Sequence, residues 1–292
     1  MRALARFFLS LLAASAVAAP AAAESFLWEV ASLTNRAYLF GTVHAGKADW
    51  YPLPDAVESA YQDSAVLVVE ADITDEKTIA KSTASMVYRP PATLATHMPP
   101  EQYQRFRRLL PRYRMAEEQV IHLKPFMAVS LLVFAEWARV GFKPELGVDA
   151  YLLKRAKAEQ KPIVELEGVE VQARLMESLT EAQNQAVFKG TLDALESGLT
   201  VEQIQGMVGA WQAGDPKAML EIARRYNDRI PGAGEFEEKF VWSRHEDMLR
   251  KIESYLNSSK DHHFIAVGAL HLAGPRGLVE LLRKRGYIVT QR

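Results

Sequence analysis

The chain has 292 residues, of which 49% are hydrophobic and 24% are charged, and its formal net charge is −1. This composition excludes a disordered or fibrous chain, and the near balance of charge argues against a general nucleic-acid-binding protein. Because the chain contains no cysteine, a disulfide framework, a thiol nucleophile and a cysteine-ligated metal are excluded. Any bound metal ion would therefore need histidine, aspartate or glutamate ligands.

Residues 1–23 have the features of a Sec-type secretory signal peptide. Arg2 and Arg6 form a positively charged start, and the apolar run that follows, Phe7–Val17, is too short to span a bilayer. The small residues Ala21–Ala23 then supply a signal-peptidase pattern. The sequence predicts cleavage after residue 23 and a periplasmic or secreted mature protein, with a retained N-terminal anchor as the alternative.

Strand patterns lie mainly at the two ends of the mature chain. The predicted strands, in chain order, cover residues 26–30, 37–40, 65–69, 163–166, 264–267 and 287–289. The first two flank a polar turn and predict a β-hairpin. The continuous β-branched run at 65–69 predicts a strand that is buried on both faces.

Helical patterns fill most of the chain between these strands. The predicted helices cover residues 55–62, 100–110, 125–140, 148–159, 180–197, 200–213, 216–227, 235–255 and 276–285. The apolar stretch Phe126–Ala138 is too short for a membrane span and indicates a buried core helix. We therefore expect an α+β fold in a single domain over 24–292, with a mixed sheet formed from the N- and C-terminal strands. A large helical insertion is expected at roughly 74–260.

Two of the seven histidines share one sequence setting. Gly41 and His44 form a Gly-x-x-His motif directly after a predicted strand, and Gly268 and His271 repeat it near the C-terminus. Each histidine is thereby placed at the end of a buried strand, where the ligand sites of sheet proteins concentrate, and glycine permits a close backbone approach. One such motif is common by chance, whereas two in the same setting favour a shared site.

A carboxylate follows a third predicted strand, because the run at 65–69 is followed directly by Glu70. If the three strand ends converge, His44, Glu70 and His271 form a set of two histidines and one carboxylate. That set is typical of a catalytic divalent metal ion with open coordination positions, and Zn, Mn, Co and Fe all suit it. The alternative is structural: hydrogen-bonded histidines at strand ends, and a Glu70 that marks where the chain meets water.

Four further residues are weaker candidates. Glu167 follows the strand at 163–166 and is a candidate carboxylate beside the site, and Asp149 is either another such carboxylate or an acid in a first helical turn. Arg244 and His245 lie on the predicted helix at 235–255, where they are candidate partners for an oxyanion or a substrate carboxylate, or part of a solvated face. The histidines at 262–263 follow a polar loop and are expected to be exposed and non-functional.

The order of several short motifs resembles the TraB/GumN family. The segments that carry the resemblance are Phe26–Val30, Tyr38–His44, Tyr51–Pro54, Val68–Asp72, Gly147–Leu152, Leu166–Gly168, Val267–Gly274 and Gly277–Leu282. They extend over essentially the whole mature chain. The resemblance implies a fold similar to that of erythromycin-esterase-like and ChaN-like proteins. It also implies the divalent-metal-dependent hydrolysis shown for some members, which include the Tiki-type metalloproteases.

The resemblance also assigns residues to the site. Carried over position by position, it implies that His44, Glu70 and His271 surround one cleft, with Glu167 as an additional residue. The sequence departs from the family pattern in two places. Leu270 precedes the second motif histidine where the family commonly has glycine, and a histidine follows the arginine at 244 where the family commonly has asparagine.

These residues predict an exported divalent-metal-dependent hydrolase, of the peptidase type, that acts on a peptide or protein substrate in the cell envelope. His44 and His271 would hold the ion, Glu70 would be the third ligand or the general base, and Arg244 would stabilise the oxyanion. One alternative is a non-catalytic periplasmic binding protein that sequesters a peptide signal, a metal ion or haem. Another is an envelope interaction module that uses the helical insertion. We expect no nucleic-acid partner, and no membrane span after signal removal.

Overall fold

The computed structural model describes residues 24–76, 79–80, 84–230, 232–258 and 260–292. The segment predicted as a signal peptide, 1–23, lies outside these residues. Within the described chain, no helix combines the length and the apolar character that crossing a membrane requires.

The sheet of the described chain has six strands in the order β4-β3-β5-β2-β1-β6. In chain order the strands are β1 (Leu27–Ala31), β2 (Arg36–Thr42), β3 (Val66–Val69), β4 (Ile163–Glu165), β5 (His263–Gly268) and β6 (Ile288–Gln291). Strand β5 pairs in parallel with both β2 and β3, and β3 pairs in parallel with β4. Strand β1 pairs antiparallel with β2 and β6. Strands from both ends of the chain thus form one mixed sheet, which confirms the predicted fold class.

Helices occupy most of the chain between β3 and β5. In chain order the α-helices are α1 (Asp55–Asp63), α2 (Leu94–His97), α3 (Pro100–Leu109), α4 (Pro125–Arg139), α5 (Val148–Ala158), α6 (Val169–Glu177), α7 (Glu181–Ser197), α8 (Leu199–Gln212), α9 (Pro216–Asn227), α10 (Ala233–Phe240), α11 (His245–Ser258) and α12 (Leu278–Lys284). Two 3-10 turns, Trp242–Arg244 and Ala269–Leu272, carry predicted site residues. Most of the predicted helices are therefore present close to their expected bounds.

The main hydrophobic core surrounds the centre of the sheet. The consecutive residues Phe264, Ile265 and Ala266 of β5 are all buried. Because neighbouring side chains of a strand point to opposite faces, their burial means that both faces of β5 are covered. This explains why the sequence of β5 is a continuous apolar run and does not alternate between apolar and polar residues.

The helical insertion has a second core of its own. Phe106 of α3, Leu132 of α4 and Phe188 of α7 belong to a separate cluster of buried side chains. One buried hydrogen bond joins this helical region to the sheet. Nε1 of Trp211 in α8 donates to the carbonyl oxygen of Gly41 in β2 at 2.7 Å. Since an unpaired buried donor costs free energy, this bond fixes α8 against the strand that carries the first Gly-x-x-His motif.

Two local predictions are wrong, and one helix was missed. The helix expected at 235–255 is two helices, α10 and α11, with Arg244 in the turn between them, and neither glycine nor proline marks this break. Helix α6 was not predicted; it begins after Gly168, whose φ of 94° lies in the region that favours glycine. His263 is the first residue of β5 and is buried, because its ring stacks on Tyr255 at 4.5 Å between centroids.

Replacing Gly41 tests the close packing at the first motif. A Cβ at this position would lie 2.4 Å from Cδ1 of Phe26 and 3.1 Å from Cα of Ala269. We expect Gly41→Ala to lower the free energy of unfolding by about 1–3 kcal/mol, as overpacked cores do. The measurement is urea denaturation followed by circular dichroism.

The matched control is Gly209→Ala on the exposed side of α8. Apart from its chain neighbours and the backbone of its own helix, no heavy atom of the described residues lies within 4 Å of the position that its Cβ would take. Because alanine is the better helix former, this change is expected to raise stability by about 0.5–1 kcal/mol. Equal losses of stability in the two variants would contradict the steric role of Gly41.

Candidate active site at the carboxyl ends of the parallel strands

The three predicted ligands lie at one edge of the sheet. His44 follows β2, Glu70 directly follows β3, and His271 lies in the turn that follows β5. The three side chains all lie close to Gly268. A Cβ at this glycine would lie 3.4 Å from Oε1 of Glu70, 3.6 Å from Cδ2 of His271 and 4.0 Å from Nε2 of His44. The structure therefore brings the three side chains together, as the parallel pairing of their strands requires.

The imidazole of His44 is oriented by Asp149. Nδ1 of His44 lies 2.9 Å from Oδ2 of Asp149, and Thr42 donates its hydroxyl proton to the other oxygen of the same carboxylate. Asp149 is held in place because α5 begins beside β2, where the amide of Val148 donates to the carbonyl oxygen of Val43 at 2.9 Å. The Asp149 carboxylate raises the pKa of His44 above its usual value. Asp149 thus has the supporting position that the sequence left open.

Glu70 is a buried carboxylate with a partner on each oxygen. The amide of Gly268 donates to Oε1 at 2.7 Å, while Oε2 accepts from Arg244 and from Nε2 of Gln172 at 3.4 Å. Burial by itself would raise the pKa of Glu70, but His271 and Arg244 hold it well below its usual value. The side chain is therefore ionised at neutral pH although only 13% of it is exposed.

Arg244 is the central cation of the site. Its guanidinium pairs with Glu70 and Glu167. Nη1 donates to the carbonyl oxygen of Phe240 at 2.7 Å and lies 3.2 Å from Nε2 of His271. Burial alone would lower the pKa of Arg244, but Glu167 and Glu70 raise it above its usual value. Two carboxylates thus share one permanent positive charge at this site.

His271 is held at both ring nitrogens. Its Nε2 faces Arg244 and lies 3.6 Å from Oε2 of Glu70, and its Nδ1 lies 2.9 Å from Nε2 of His245. Nδ1 of His245 in turn lies 2.7 Å from the carbonyl oxygen of Arg276. Burial and the neighbouring His271 lower the pKa of His245 to about 4. A continuous hydrogen-bonded row therefore runs from Arg244 through the two histidines to the main chain at Arg276.

The donor chemistry of this site fits a divalent metal ion. Each motif histidine has Nδ1 hydrogen-bonded to another group, which is the usual arrangement around metal-ligating histidines. Nε2 of each ring is then the ligand atom, although that of His271 faces Arg244 at 3.2 Å in this structure. The side chains are not in positions to coordinate an ion together: within the described residues, no group of three His, Asp or Glu side chains could hold one. The two histidines thus fit as ligands, while Glu70 is paired with Arg244.

Sequence reasoning missed two groups at the site. Gln172 lies on α6, a helix that the sequence pattern did not reveal, so nothing pointed to its contact with Glu70. Thr42 is the second residue of the first Gly-x-x-His motif, two positions before His44, and a hydroxyl so close to the motif histidine was a signal that sequence reasoning could have used. Glu167 and Arg244 contact each other, although the sequence gave no reason to pair them.

Comparison with known proteins identifies the family. The sequence model of the TraB/PrgY/gumN family matches residues 26–291. The chain belongs to the TraB/PrgY/gumN family. The resemblance inferred from the order of the motifs is confirmed, and membership extends over nearly all of the described chain.

The relatives found by sequence comparison are distant in sequence. The chain is 24% identical to the uncharacterized protein YbaP of Escherichia coli (strain K12), over 88% of this chain and 93% of that protein. It is 22% identical to Metalloprotease TIKI2 of Danio rerio, over 91% of this chain and 60% of that protein. It is 24% identical to the Metalloprotease TIKI homolog of Amphimedon queenslandica, over 92% and 61% respectively. No solved structure gives a significant match.

Removing the central cation tests the electrostatics of this site. Arg244→Met leaves Glu70 and Glu167 buried without their shared partner, which we expect to lower the free energy of unfolding by about 3–5 kcal/mol at pH 7. A carboxylate with a depressed pKa stabilises the folded state above its usual pKa, and this contribution is lost as the pH falls through the folded value. The difference between wild type and variant should therefore shrink below about pH 4.3. Urea denaturation across pH measures it.

Arg250→Met is the matched control, because the Arg250–Asp247 pair is exposed on the surface of α11. Exposed ion pairs contribute little, so the stability of this variant should equal that of the wild type. A variant at Arg244 that is as stable as the control would show that the buried pairing is not needed for folding.

Proposed function

We propose that this chain is an exported, divalent-metal-dependent hydrolase that cleaves peptide or protein substrates in the cell envelope. The observation that carries the proposal is the meeting of His44, Glu70 and His271 at one sheet edge, with Nδ1 of each histidine bound to another group. Two relatives that bear the printed name metalloprotease, from Danio rerio and Amphimedon queenslandica, support the same class of reaction.

His44 and His271 would hold the ion through Nε2. When bound, a divalent ion lowers the pKa of a water molecule and polarises a carbonyl group. Glu70 completes the set, either as a third ligand or as the base that accepts a proton from the attacking water. Its position between Arg244 and the amide of Gly268 is compatible with both roles.

The other residues of the site would orient the reaction. Arg244 is fixed by Glu167 and by the carbonyl oxygen of Phe240, so its guanidinium has a defined direction beside His271. A preorganised cation in that position stabilises negative charge that develops on a carbonyl oxygen. Asp149 and Thr42 keep His44 in place at the open side of the site, where 61% of the His44 side chain is exposed. A substrate would enter from this side.

Metal content and peptide cleavage test the proposal directly. We expect the purified mature protein to bind one divalent ion and to cleave members of a peptide library, with the activity lost in chelator and restored by added ion. His44→Ala and His271→Ala should each reduce cleavage at least 100-fold, because the single histidine that remains would not hold the ion in place.

The matched control is His97→Ala, because His97 lies in α2, outside the site, and bonds the carbonyl oxygen of Thr93. This variant should retain wild-type metal content and activity. A wild-type protein that binds neither ion nor peptide contradicts the proposal. Binding of a peptide or an ion without cleavage would instead favour a periplasmic binding protein.

Export is the second part of the proposal. We expect the full-length chain, expressed in a Gram-negative host, to be recovered from the periplasmic fraction with Glu24 as its first residue, as determined by N-terminal sequencing. Replacing Arg2 and Arg6 by glutamate should leave the precursor in the cytoplasm, because the positive start of a signal peptide is needed for its insertion. Recovery of an uncleaved chain in the membrane fraction would favour a retained anchor.

A further inference from the structure

Four groups at the candidate site form a row of successive hydrogen bonds. It runs from Arg244 through His271 and His245 to the carbonyl oxygen of Arg276, with successive separations of 3.2, 2.9 and 2.7 Å. His245 is almost fully buried, with 3% of its surface exposed. It belongs to none of the strand ends that deliver the three predicted ligands.

The carbonyl end of this row fixes the direction of the hydrogen bonds that follow from it. A carbonyl oxygen can only accept, so Nδ1 of a neutral His245 must carry the proton that it donates to Arg276, and Nε2 of His245 then has the lone pair. Between the rings, Nδ1 of His271 therefore donates to Nε2 of His245. A neutral His271 protonated at Nδ1 has its lone pair on Nε2, which lies 3.2 Å from the donor Nη1 of Arg244 and 3.6 Å from the acceptor Oε2 of Glu70.

We propose that His245 is a positioning residue that holds neutral His271 in the tautomer protonated at Nδ1, so that Nε2 has the lone pair that accepts from Arg244. This is the tautomer that can bind an ion through Nε2. The consequence for ion binding rests on the function proposed above, whereas the tautomer itself is a property of the metal-free protein. The main-chain carbonyl of Arg276, at the far end, fixes His245 in turn.

The test reads the tautomer by ¹⁵N NMR of the imidazole rings in metal-free protein, with His271→Ala to assign the signals. We expect wild-type His271 to be protonated at Nδ1 and unprotonated at Nε2. In His245→Phe, which keeps a ring but removes the acceptor, we expect a mixture of the two tautomers. The zinc affinity of this variant should fall by about 10–100-fold, as is usual when an outer partner of a ligand is lost.

His245→Gln restores an acceptor and is expected to recover the wild-type tautomer and most of the zinc affinity. The control is His263→Phe, which removes a histidine that is equally buried and also bonds a main-chain carbonyl, that of Asp261, but lies at the opposite end of β5. It should change neither the tautomer of His271 nor zinc binding.

Two results would overturn the assignment. One is a wild-type His271 protonated at Nε2, and the other is a His245→Phe protein with unchanged tautomer and unchanged zinc affinity. If His245→Phe does not fold, the wild-type spectrum and His245→Gln still decide the matter. A wild-type protein that binds no zinc contradicts the proposed function, while the tautomer measured without metal still supports or overturns the role of His245.

Discussion

The parallel pairing of β5 with both β2 and β3 is the constraint on which the site depends. Parallel strands end at the same edge of a sheet, so the residues that follow them meet whatever their distance along the chain. His44, Glu70 and His271 come together for this reason, and Glu167 joins them because β4 continues the same parallel order. The antiparallel strands β1 and β6 extend the other side of the sheet and contribute none of these four residues.

The buried carboxylates of the site are paired with one cation. Glu70 and Glu167 share the guanidinium of Arg244, and Glu70 also accepts from a main-chain amide. Buried charges are tolerated only when they are paired and hydrogen-bonded. Arg244 would therefore affect the proposed chemistry in two ways. It orients Glu70 beside His271, and it is the cation with which an incoming ion must share that carboxylate.

Much of the fold and part of the site follow from the sequence. Continuous apolar runs identified the buried strands, and the repeated Gly-x-x-His motif with Glu70 identified residues that do lie together. Periodicity could not reveal the break before His245, because no glycine or proline interrupts the pattern, and it missed α6 and with it Gln172. The pairing of Arg244 with Glu167 depends on tertiary contacts between a turn and a strand end that no local pattern encodes. The prediction of exposed histidines at 262–263 was wrong for His263, since burial of that ring depends on α11 packing over the start of β5.

The place of β5 in the sheet has a consequence for the order in which the molecule can assemble. This strand follows the helical region in the chain, yet it is inserted between two strands that precede that region and are made much earlier. A nascent chain that has not reached residue 263 has neither the central strand nor His271, and β2 and β3 cannot yet be joined into one sheet. Closure must wait for contacts that are far apart in sequence, which are slow to form. The chain therefore lacks the candidate site until β5 and the turn that carries His271 have been added.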